Sequence, residues 1–251
     1  MSEQYKGFAR VYDMLMNDVD YDMWADYIMS LLKDGLPQAT SPVRAIDCAC
    51  GTGAVTIRLK KAGLDITGMD ISREMLEIAS ENARSAGLKI PFVCMDMQKM
   101  TVHRPHDAVI SACDGVNYLT SRDEVLSFFV HAYQSLKSGG MLLFDISSRY
   151  KLENILGCNT FAEDGEECAY IWKNMYDEKS KLIEMNLSFF ERENKSYRRF
   201  TEQHIQRAHS EKELFELLEN AGFEDIRAYD AFTENAPTPQ SERIQFTAIK
   251  R

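Results

Sequence analysis

The sequence lacks any run of about 18 apolar residues, the length that a membrane-spanning helix needs. It also lacks a basic surplus, because 29 lysines and arginines face 39 aspartates and glutamates, a formal net charge of −10. A nucleic-acid binder needs a face rich in basic side chains to contact phosphates. The composition therefore argues against a nucleic-acid partner, and no membrane partner is expected.

Signals for export and for metal binding are also missing. Residues 1–10 are polar and do not form the apolar core of a signal peptide. The six cysteines include no C-x-x-C pair, and four of them lie in or beside apolar runs, which is typical of reduced core thiols. His103 and His106 have no third ligand nearby, so no metal site is predicted. We expect a cytoplasmic protein.

Glycine and proline are scarce, with 13 and 6 residues, whereas hydrophobic residues make up 45% of the chain. This composition excludes collagen-like and wholly disordered chains. The 251 residues suit one large domain, or one domain with a sizeable addition. The oligomeric state is open, and a homodimer is one possibility.

The chain divides into four regions by its hydrophobic pattern. Apolar side chains recur every three or four positions within 8–15 and again within 24–31, which predicts N-terminal helices over residues 1–40. Residues 158–208 contain three β-rich segments separated by polar turns, which predicts an antiparallel β insertion with strands at 167–176, 181–192 and 197–207. Residues 209–251 predict a helix at Glu211–Asn220 and closing strands at Glu224–Phe232 and Arg243–Lys250.

Strands and helices alternate between residues 41 and 150. The predicted strands are Val43–Cys48, Leu64–Met69, Ile90–Met95, Asp107–Cys113 and Met141–Ile146. The predicted helices are Ala54–Ala62, a segment that Ser72 caps and that runs through Arg84, and Arg122–Leu136, which Gly139 and Gly140 separate from the last strand. This alternation predicts an α/β fold with a doubly wound, mostly parallel sheet, whose ligands bind at the carboxyl ends of the strands.

A turn of small residues directly follows the first predicted strand: Asp47-Cys48-Ala49-Cys50-Gly51-Thr52-Gly53. Small residues let a ligand approach the backbone closely, and the next helix presents free N–H groups there. The acid at the strand end can hold a cationic or hydroxyl group. The alternative is a tight β–α turn with no ligand.

Two further acids stand at the ends of the next two strands. Asp70 can accept hydrogen bonds from the two hydroxyls of a ribose, or it can serve the next helix as an N-cap. Asp96 can accept from an exocyclic amine beside Met97, or it can be a surface acid next to a core methionine. Because three successive strand ends carry these groups, they favour a ligand that contains adenosine.

The turn also limits which adenosine ligand fits. A dinucleotide fingerprint has the form G-x-G-x-x-G, but Thr56 stands in the third glycine position. No G-K-[ST] follows, so the lysine of a phosphate-binding P-loop is missing. A turn that begins with an acid and lacks such a lysine favours a cationic ligand over a pyrophosphate.

These motifs, together with Asp107–Leu119 (DAVISACDGVNYL), resemble those of class I S-adenosylmethionine-dependent methyltransferases, over residues 40–150. Phe8–Asp13 resembles the entrance helix of the small-molecule branch, including glycine and amino-sugar N-methyltransferases. The antiparallel insertion and the closing segment from Arg243 fit the same branch, and the sequence resembles the YqeM-like family. The resemblance implies a Rossmann-like fold in which the β insertion forms a lid over the substrate. Ala49 replaces the first glycine of the family motif, and its one extra methyl group is tolerated there if its φ is negative.

The resemblance also implies where S-adenosylmethionine binds. Asp47 and the Cys113 carbonyl would hold the methionine ammonium, and Tyr12 would contact the sulfonium. The expected cofactor-binding residues at the methionine end are Tyr12, Asp47, Ala49, Cys50, Gly51 and Cys113. Those at the adenosine end are Asp70, Ile71, Met75, Asp96 and Met97.

The catalytic and substrate-binding candidates are fewer. Tyr118 and Tyr12 are the catalytic candidates, although an aromatic packed under the lid would also explain Tyr118. Tyr21, His204 and Arg243 are candidates for substrate binding; a structural histidine and a solvated arginine are the alternatives. The expected reaction transfers a methyl group to a nitrogen or oxygen of a small molecule. RNA methylation and a non-catalytic nucleoside-binding module are the other hypotheses.

Overall fold

The computed structural model describes residues 19–36, 42–194 and 196–251. The strands among these residues form two sheets. The larger sheet contains Arg44–Cys48 (β1), Asp65–Asp70 (β2), Phe92–Cys94 (β3), His106–Ser111 (β4), Leu136–Ser147 (β5), Glu224–Asp230 (β10) and Arg243–Ile249 (β11). The small sheet contains Thr160–Asp164 (β6), Cys168–Asp177 (β7), Leu182–Glu193 (β8) and Ser196–Arg207 (β9).

The described α-helices are Tyr21–Gly35 (α1), Ala54–Lys61 (α2), Arg73–Ser85 (α3), Arg122–Ser135 (α4) and Glu211–Asn220 (α5). Short 3₁₀ turns lie at Met97–Lys99 and Gly115–Tyr118, and a π-helix lies at Lys151–Leu156. Ser72 Oγ accepts from Met75 N and begins α3, so the predicted N-cap is confirmed, and Ser210 caps α5 in the same way. The helix predicted at residues 8–15 lies outside the described residues.

The strand order of the larger sheet is β10-β11-β5-β4-β1-β2-β3. Strands β1 to β5 pair in parallel, and β11 runs antiparallel to β5 and β10. The α/β, mostly parallel fold with an antiparallel insertion is therefore confirmed. Because the strand order reverses between β4 and β2, the carboxyl end of β1 lies at the switch point where such sheets bind their ligands. The four domain boundaries stay a prediction.

Each central strand contributes side chains to two cores, one on each face of the sheet. Ile46 and Val109 pack in a cluster with α4 and α5, whereas the adjacent Ala45 and Ile110 pack in a second cluster with α1 and α2. Successive side chains on a strand point to opposite faces, and a strand buried on both faces has the continuous apolar run seen in the sequence. The cores thus fix the strand ends that form the site.

Two predicted strand boundaries next to the site are wrong. β4 ends at Ser111 rather than Cys113, because Cys113 has a φ of +60° and cannot continue an extended strand. β5 begins at Leu136 rather than Met141. Gly139 N donates to Lys250 O at 2.6 Å and Lys250 N donates to Gly140 O at 2.9 Å, so the glycine pair is held as part of the sheet.

Two other elements of the strand prediction differ. β3 spans Phe92–Cys94 instead of Ile90–Met95, because it is a short edge strand that follows Pro91, which has no N–H to donate. The small sheet has an edge strand, β6, that the sequence pattern did not predict. Its three longer strands match the predicted segments within a few residues.

The small sheet is attached to the carboxyl edge of the larger one through Asn117. This buried side chain donates from Nδ2 to Ser147 O and to Arg207 O, both at 3.0 Å, and its Oδ1 accepts from Ser147 N at 2.9 Å. It thereby joins the Gly115–Tyr118 turn to β5 and β9. No helix in the described ranges is long and apolar enough to cross a membrane.

Candidate functional site

The turn between β1 and α2 contains three residues in the left-handed region. Their φ angles are +56° at Ala49, +54° at Gly51 and +79° at Gly53. Ala49 therefore does not meet the condition of a negative φ. Cys50 N donates to Met69 O at 3.0 Å, which draws the turn toward β2 and imposes this conformation. A non-glycine residue in this region costs roughly 1–2 kcal/mol, so the surrounding contacts must offset that strain.

Asp47 is buried at the end of β1, with 2% of its surface exposed. Its Oδ2 accepts a hydrogen bond from Thr56 Oγ1 at 2.5 Å. Burial raises the pKa of Asp47 to about 7, the Thr56 hydroxyl opposes that rise, and the Asp70 charge adds to it. Thr56 thus has a role where the dinucleotide motif has a glycine. Because the described partner of Asp47 is a hydroxyl and not a basic side chain, this carboxylate suits a cationic ligand.

Asp70 fixes the same turn from the end of β2. Its Oδ2 accepts from Gly51 N at 2.8 Å, and its Oδ1 accepts from Ser72 N at 2.9 Å. Burial raises the pKa of Asp70, and the hydrogen bonds from these backbone N–H groups oppose the rise. Each carboxylate oxygen has a second lone pair, so the side chain can anchor the turn and still accept from two ribose hydroxyls.

A cavity opens between the β1–α2 turn and the loop after β4. Its lining residues are Tyr21, Asp47, Ala49, Cys50, Gly51, Thr52, Ala54, Val55, Ala112 and Cys113. Every described residue expected at the methionine end lies in this set, whereas Tyr12 lies outside the described residues. Tyr21, expected to bind substrate, also lines the cavity, and the Arg58 guanidinium lies 5.4 Å from the centre of its ring.

The residues expected at the adenosine end fall into two groups. Ile71 is 66% exposed beside Asp70, an apolar side chain that folding leaves uncovered at the carboxyl edge. Asp96 Oδ1 accepts from Gln98 N at 2.9 Å, and the buried Met97 packs into the main core. Met75 is also buried. A hydrogen bond from Asp96 to adenine, and the contact of either methionine with the ring, stay predictions.

Tyr118 and His204 meet where the Gly115–Tyr118 turn contacts β9. Tyr118 Oη lies 3.3 Å from His204 Nδ1, and the two rings make an edge contact. Tyr118 is 39% exposed, whereas His204 is 3% exposed. Burial lowers the pKa of His204 to about 4, so its imidazole is neutral at pH 7.

Arg243 is not the solvated side chain of the alternative interpretation. Its guanidinium forms ion pairs with Asp145 and with Asp114, the latter at 2.9 Å, and lies 5.2 Å from the centre of the Trp24 ring. A substrate anion would compete with both carboxylates for this charge. Binding of a substrate anion by Arg243 stays a prediction, and these two ion pairs make such binding less favourable.

Sequence reasoning missed the polar side chains that join the two sheets around Arg243 and the Gly115–Tyr118 turn: Asp114, Asn117, Asp145 and Gln206. Asp114 belongs to the DAVISACDGVNYL segment, but its neighbours on β5 and β9 are distant in the chain. The one sequence signal for Gln206 is its spacing, because residues two positions apart on a strand share a face and His204 stands two positions before it. Their proximity depends on how the small sheet packs, which no local pattern encodes.

Comparisons with known proteins agree with this geometry. A family model described as a methyltransferase domain matches residues 45–140. The chain is 38% identical to YqeM of Bacillus subtilis (strain 168), whose name assigns it to the methyltransferases, over 98% of this chain and 97% of that protein. It is 31% identical to glycine/sarcosine N-methyltransferase of Aphanothece halophytica, over 57% of this chain and 54% of that protein.

A crystal structure of an S-adenosylmethionine-dependent methyltransferase from Clostridium acetobutylicum ATCC 824 has the same fold throughout. The TM-score is 0.87 at 32% identity, and the match covers 98% of each chain. Fold, turn and comparisons together define an S-adenosylmethionine-dependent methyltransferase of class I. Within that class, the chain belongs to the YqeM-like methyltransferase family.

Proposed function

We propose that this enzyme transfers a methyl group to a nitrogen or oxygen of a small molecule in the cytoplasm. The observation that carries the proposal is the contact between Tyr118 and His204 at the joint between the two sheets. Tyr118 follows the loop that lines the cofactor cavity, and His204 projects from the small sheet. A group that can accept a proton therefore lies where the small sheet meets the turn that follows this loop, which supports the proposal.

S-adenosylmethionine supplies a methyl carbon that its sulfonium already activates, so the protein needs mainly to align the acceptor and exclude water. Asp47 and the Cys113 backbone hold the methionine end, and Asp70 holds the ribose. Asp47 is buried next to a hydroxyl, and it gains a cationic partner when an ammonium group enters the cavity. That gain compensates the cost of burying its charge.

The acceptor must lose a proton during or after the transfer. Tyr118 Oη can accept a hydrogen bond from the acceptor and pass the proton to His204 Nδ1, which lies 3.3 Å away. His204 is neutral at pH 7 and is therefore able to receive it. With a pKa near 4, His204 is a weak base. It is therefore best suited to take up the proton late, when methyl transfer has made the acceptor more acidic.

The acidic net charge of the chain and the position of the small sheet both favour a small acceptor over RNA. The net charge of −10 opposes a polyanion. The buried side chains Met185, Phe189 and His204 lie on one face of the small sheet, which contacts the turn next to the cavity. The name of the Aphanothece halophytica relative assigns it amine substrates, which supports a nitrogen acceptor, although that match is confined to about half of this chain.

The test is a methyl-transfer screen with labelled S-adenosylmethionine over fractionated metabolites, with bulk tRNA as a separate arm. We expect label in a small-molecule fraction and none in RNA. Wild-type protein and the Tyr118→Phe variant are compared on the positive fraction, where the variant should be slower. Label in RNA would replace the small-molecule proposal with RNA methylation. Cofactor binding without transfer to any fraction would favour the non-catalytic module.

A further inference from the structure

A partly buried network of charged and polar side chains joins the small sheet to the loop that lines the cofactor cavity. Asp114, which follows Cys113, accepts from Arg243 Nη2 on Oδ1 at 2.9 Å and from Gln206 Nε2 on Oδ2 at 2.8 Å. Its backbone N donates to Asp145 Oδ2 at 3.0 Å, and that oxygen also accepts from Arg243. β5, β9, β11 and the loop after β4 thus meet at Asp114.

The loop at this point needs such support. Cys113 and Asp114 have φ angles of +60° and +56°, two consecutive left-handed residues without a glycine. The cost relative to a right-handed conformation is roughly 1–2 kcal/mol for Cys113 and less for Asp114, because aspartate adopts the left-handed region more readily. The hydrogen bonds to the Asp114 carboxylate involve charged groups, which are the stronger kind, and they can offset this cost. The carboxylate therefore stabilises the conformation of the loop as well as its position.

The same network reaches the cofactor cavity at one end and the small sheet at the other. Cys113 lines the cofactor cavity, immediately before Asp114. Gln206 belongs to β9, where it shares the inner strand face with His204, two residues earlier. A change in the position of β9 therefore reaches the cavity wall through one hydrogen bond and one residue of backbone. Arg243 limits the movement of Asp114 because it is anchored to the buried Asp145.

We propose that Asp114 is a positioning residue that couples the small sheet to the cofactor: Gln206 and Arg243 hold its carboxylate, and this holds the Cys113 backbone at the cavity wall. Cofactor binding then stabilises the docked position of β9, and docking of β9 strengthens cofactor binding by the same factor. This proposal rests on the proposed function for the position of the cofactor. It adds a reason why Gln206 of the small sheet donates to the same carboxylate that pairs with Arg243.

The test measures binding of S-adenosylhomocysteine by calorimetry and hydrogen exchange of the β9 amides with and without it. Gln206→Ala removes the bond to the small sheet and leaves the ion pair between Asp114 and Arg243. We expect binding to weaken roughly 5- to 20-fold and the ligand-dependent protection of β9 to disappear. Gln203→Ala changes the exposed face of the same strand and is the matched control, with affinity and protection as in the wild type.

A second variant separates the carboxylate from simple folding effects. Asp114→Asn keeps the shape and tolerates a positive φ, but it removes the charge that Arg243 pairs with. We expect weaker binding than in Gln206→Ala, with a folded chain by circular dichroism. Wild-type affinity in both variants, or β9 protection that persists in Gln206→Ala, would overturn the coupling. If wild-type protein itself does not bind, the cofactor site is wrong, and that result is distinct from a failure of the coupling.

Discussion

Ala49 and Gly115 are packed against each other, so that each limits the size of the other. A methyl group at position 115 would lie 2.9 Å from the Ala49 Cβ and 2.9 Å from Ser111 Oγ, closer than such atoms approach in proteins. Ala49 belongs to the turn after β1, and Gly115 begins the 3₁₀ turn after β4. The methyl group of Ala49 therefore fills the space that the glycine leaves, and this contact helps offset the strain of its positive φ.

The first prediction tests this contact. Gly115→Ala should destabilise the protein by about 2 kcal/mol or more, because its new methyl group overpacks the joint between the two loops. Ala49→Gly removes a strained side chain and should change stability by less than about 1 kcal/mol. The double variant should recover part of the loss, since one of the two short contacts disappears. Urea unfolding of the four proteins gives the coupling energy.

Full additivity of the two changes would show that the residues do not interact. A small remaining loss in the double variant is still expected, because the contact with Ser111 Oγ persists. Binding of S-adenosylhomocysteine by Ala49→Gly should stay close to that of the wild type, since the backbone of this residue and not its methyl group is expected to line the cofactor.

The second prediction concerns the pH dependence of the ligand-free protein. Asp47 has a folded-state pKa of about 7 against a model value of 3.8, so between these values the folded state holds a proton that the unfolded state has lost. The free energy of unfolding therefore falls as the pH rises through this window, by at most about 1.4 kcal/mol per pH unit from this group. Asp47→Asn cannot titrate and should lose this contribution.

The measurement is urea unfolding of both proteins from pH 4.5 to pH 8. The stability of the Asn variant relative to the wild type should increase with pH and level off above pH 7. Asp145, whose pKa is also raised by burial, to about 6, contributes equally to both proteins and cancels in the difference. S-adenosylhomocysteine should bind the variant more weakly at pH 8, because the carboxylate that we propose to hold the ammonium is missing. A flat difference curve would contradict the assignment.

These residues also show how far the sequence could predict the site. Asp47, the turn and Asp70 were predictable because each lies at the carboxyl end of a buried strand, and parallel strands end at one edge. The left-handed conformation of Ala49 was not, because it depends on Met69 of the next strand and on packing against Gly115, which is 66 positions away. The early end of β4, and the contacts of Arg243 and Gln206, likewise depend on elements that meet only in the folded chain.

The third prediction tests Asp70 against a control on the same strand. Asp70→Ala should weaken S-adenosylhomocysteine binding roughly 100-fold or more, because hydrogen bonds to a charged carboxylate are worth about 1.5–3 kcal/mol each. Asp65→Ala removes an acid from the first residue of β2, where it is exposed and 3.7 Å from Lys60 Nζ, and should bind as the wild type does. Calorimetry measures both.

Asp70 also anchors Gly51 N, so a loss of affinity could come from a distorted turn. The 2′-deoxy analogue of S-adenosylhomocysteine separates the two causes. If Asp70 binds the ribose, removal of the 2′-hydroxyl weakens binding to the wild type and has little further effect in Asp70→Ala. Equal losses in both proteins would place the 2′-hydroxyl elsewhere.

The last prediction concerns Tyr118 and His204 and uses the acceptor that the methyl-transfer screen identifies. Tyr118→Phe and His204→Ala should each lower kcat roughly 10- to 100-fold, the lower range for loss of a proton-accepting group. The affinity for S-adenosylhomocysteine should stay within about 2-fold. The double variant should be no slower than the worse single variant, because the two side chains act on one proton. His131→Ala, on α4, is the control; its Nδ1 lies 2.8 Å from Ser127 O in its own helix.

The wild-type rate should fall below about pH 5, as protonation of His204 near pH 4 removes the acceptor, and this fall should be absent in His204→Ala. If the loss of kcat in the double variant instead equalled the combined losses of the two single variants, the two residues would act independently, as side chains that only pack against the substrate do.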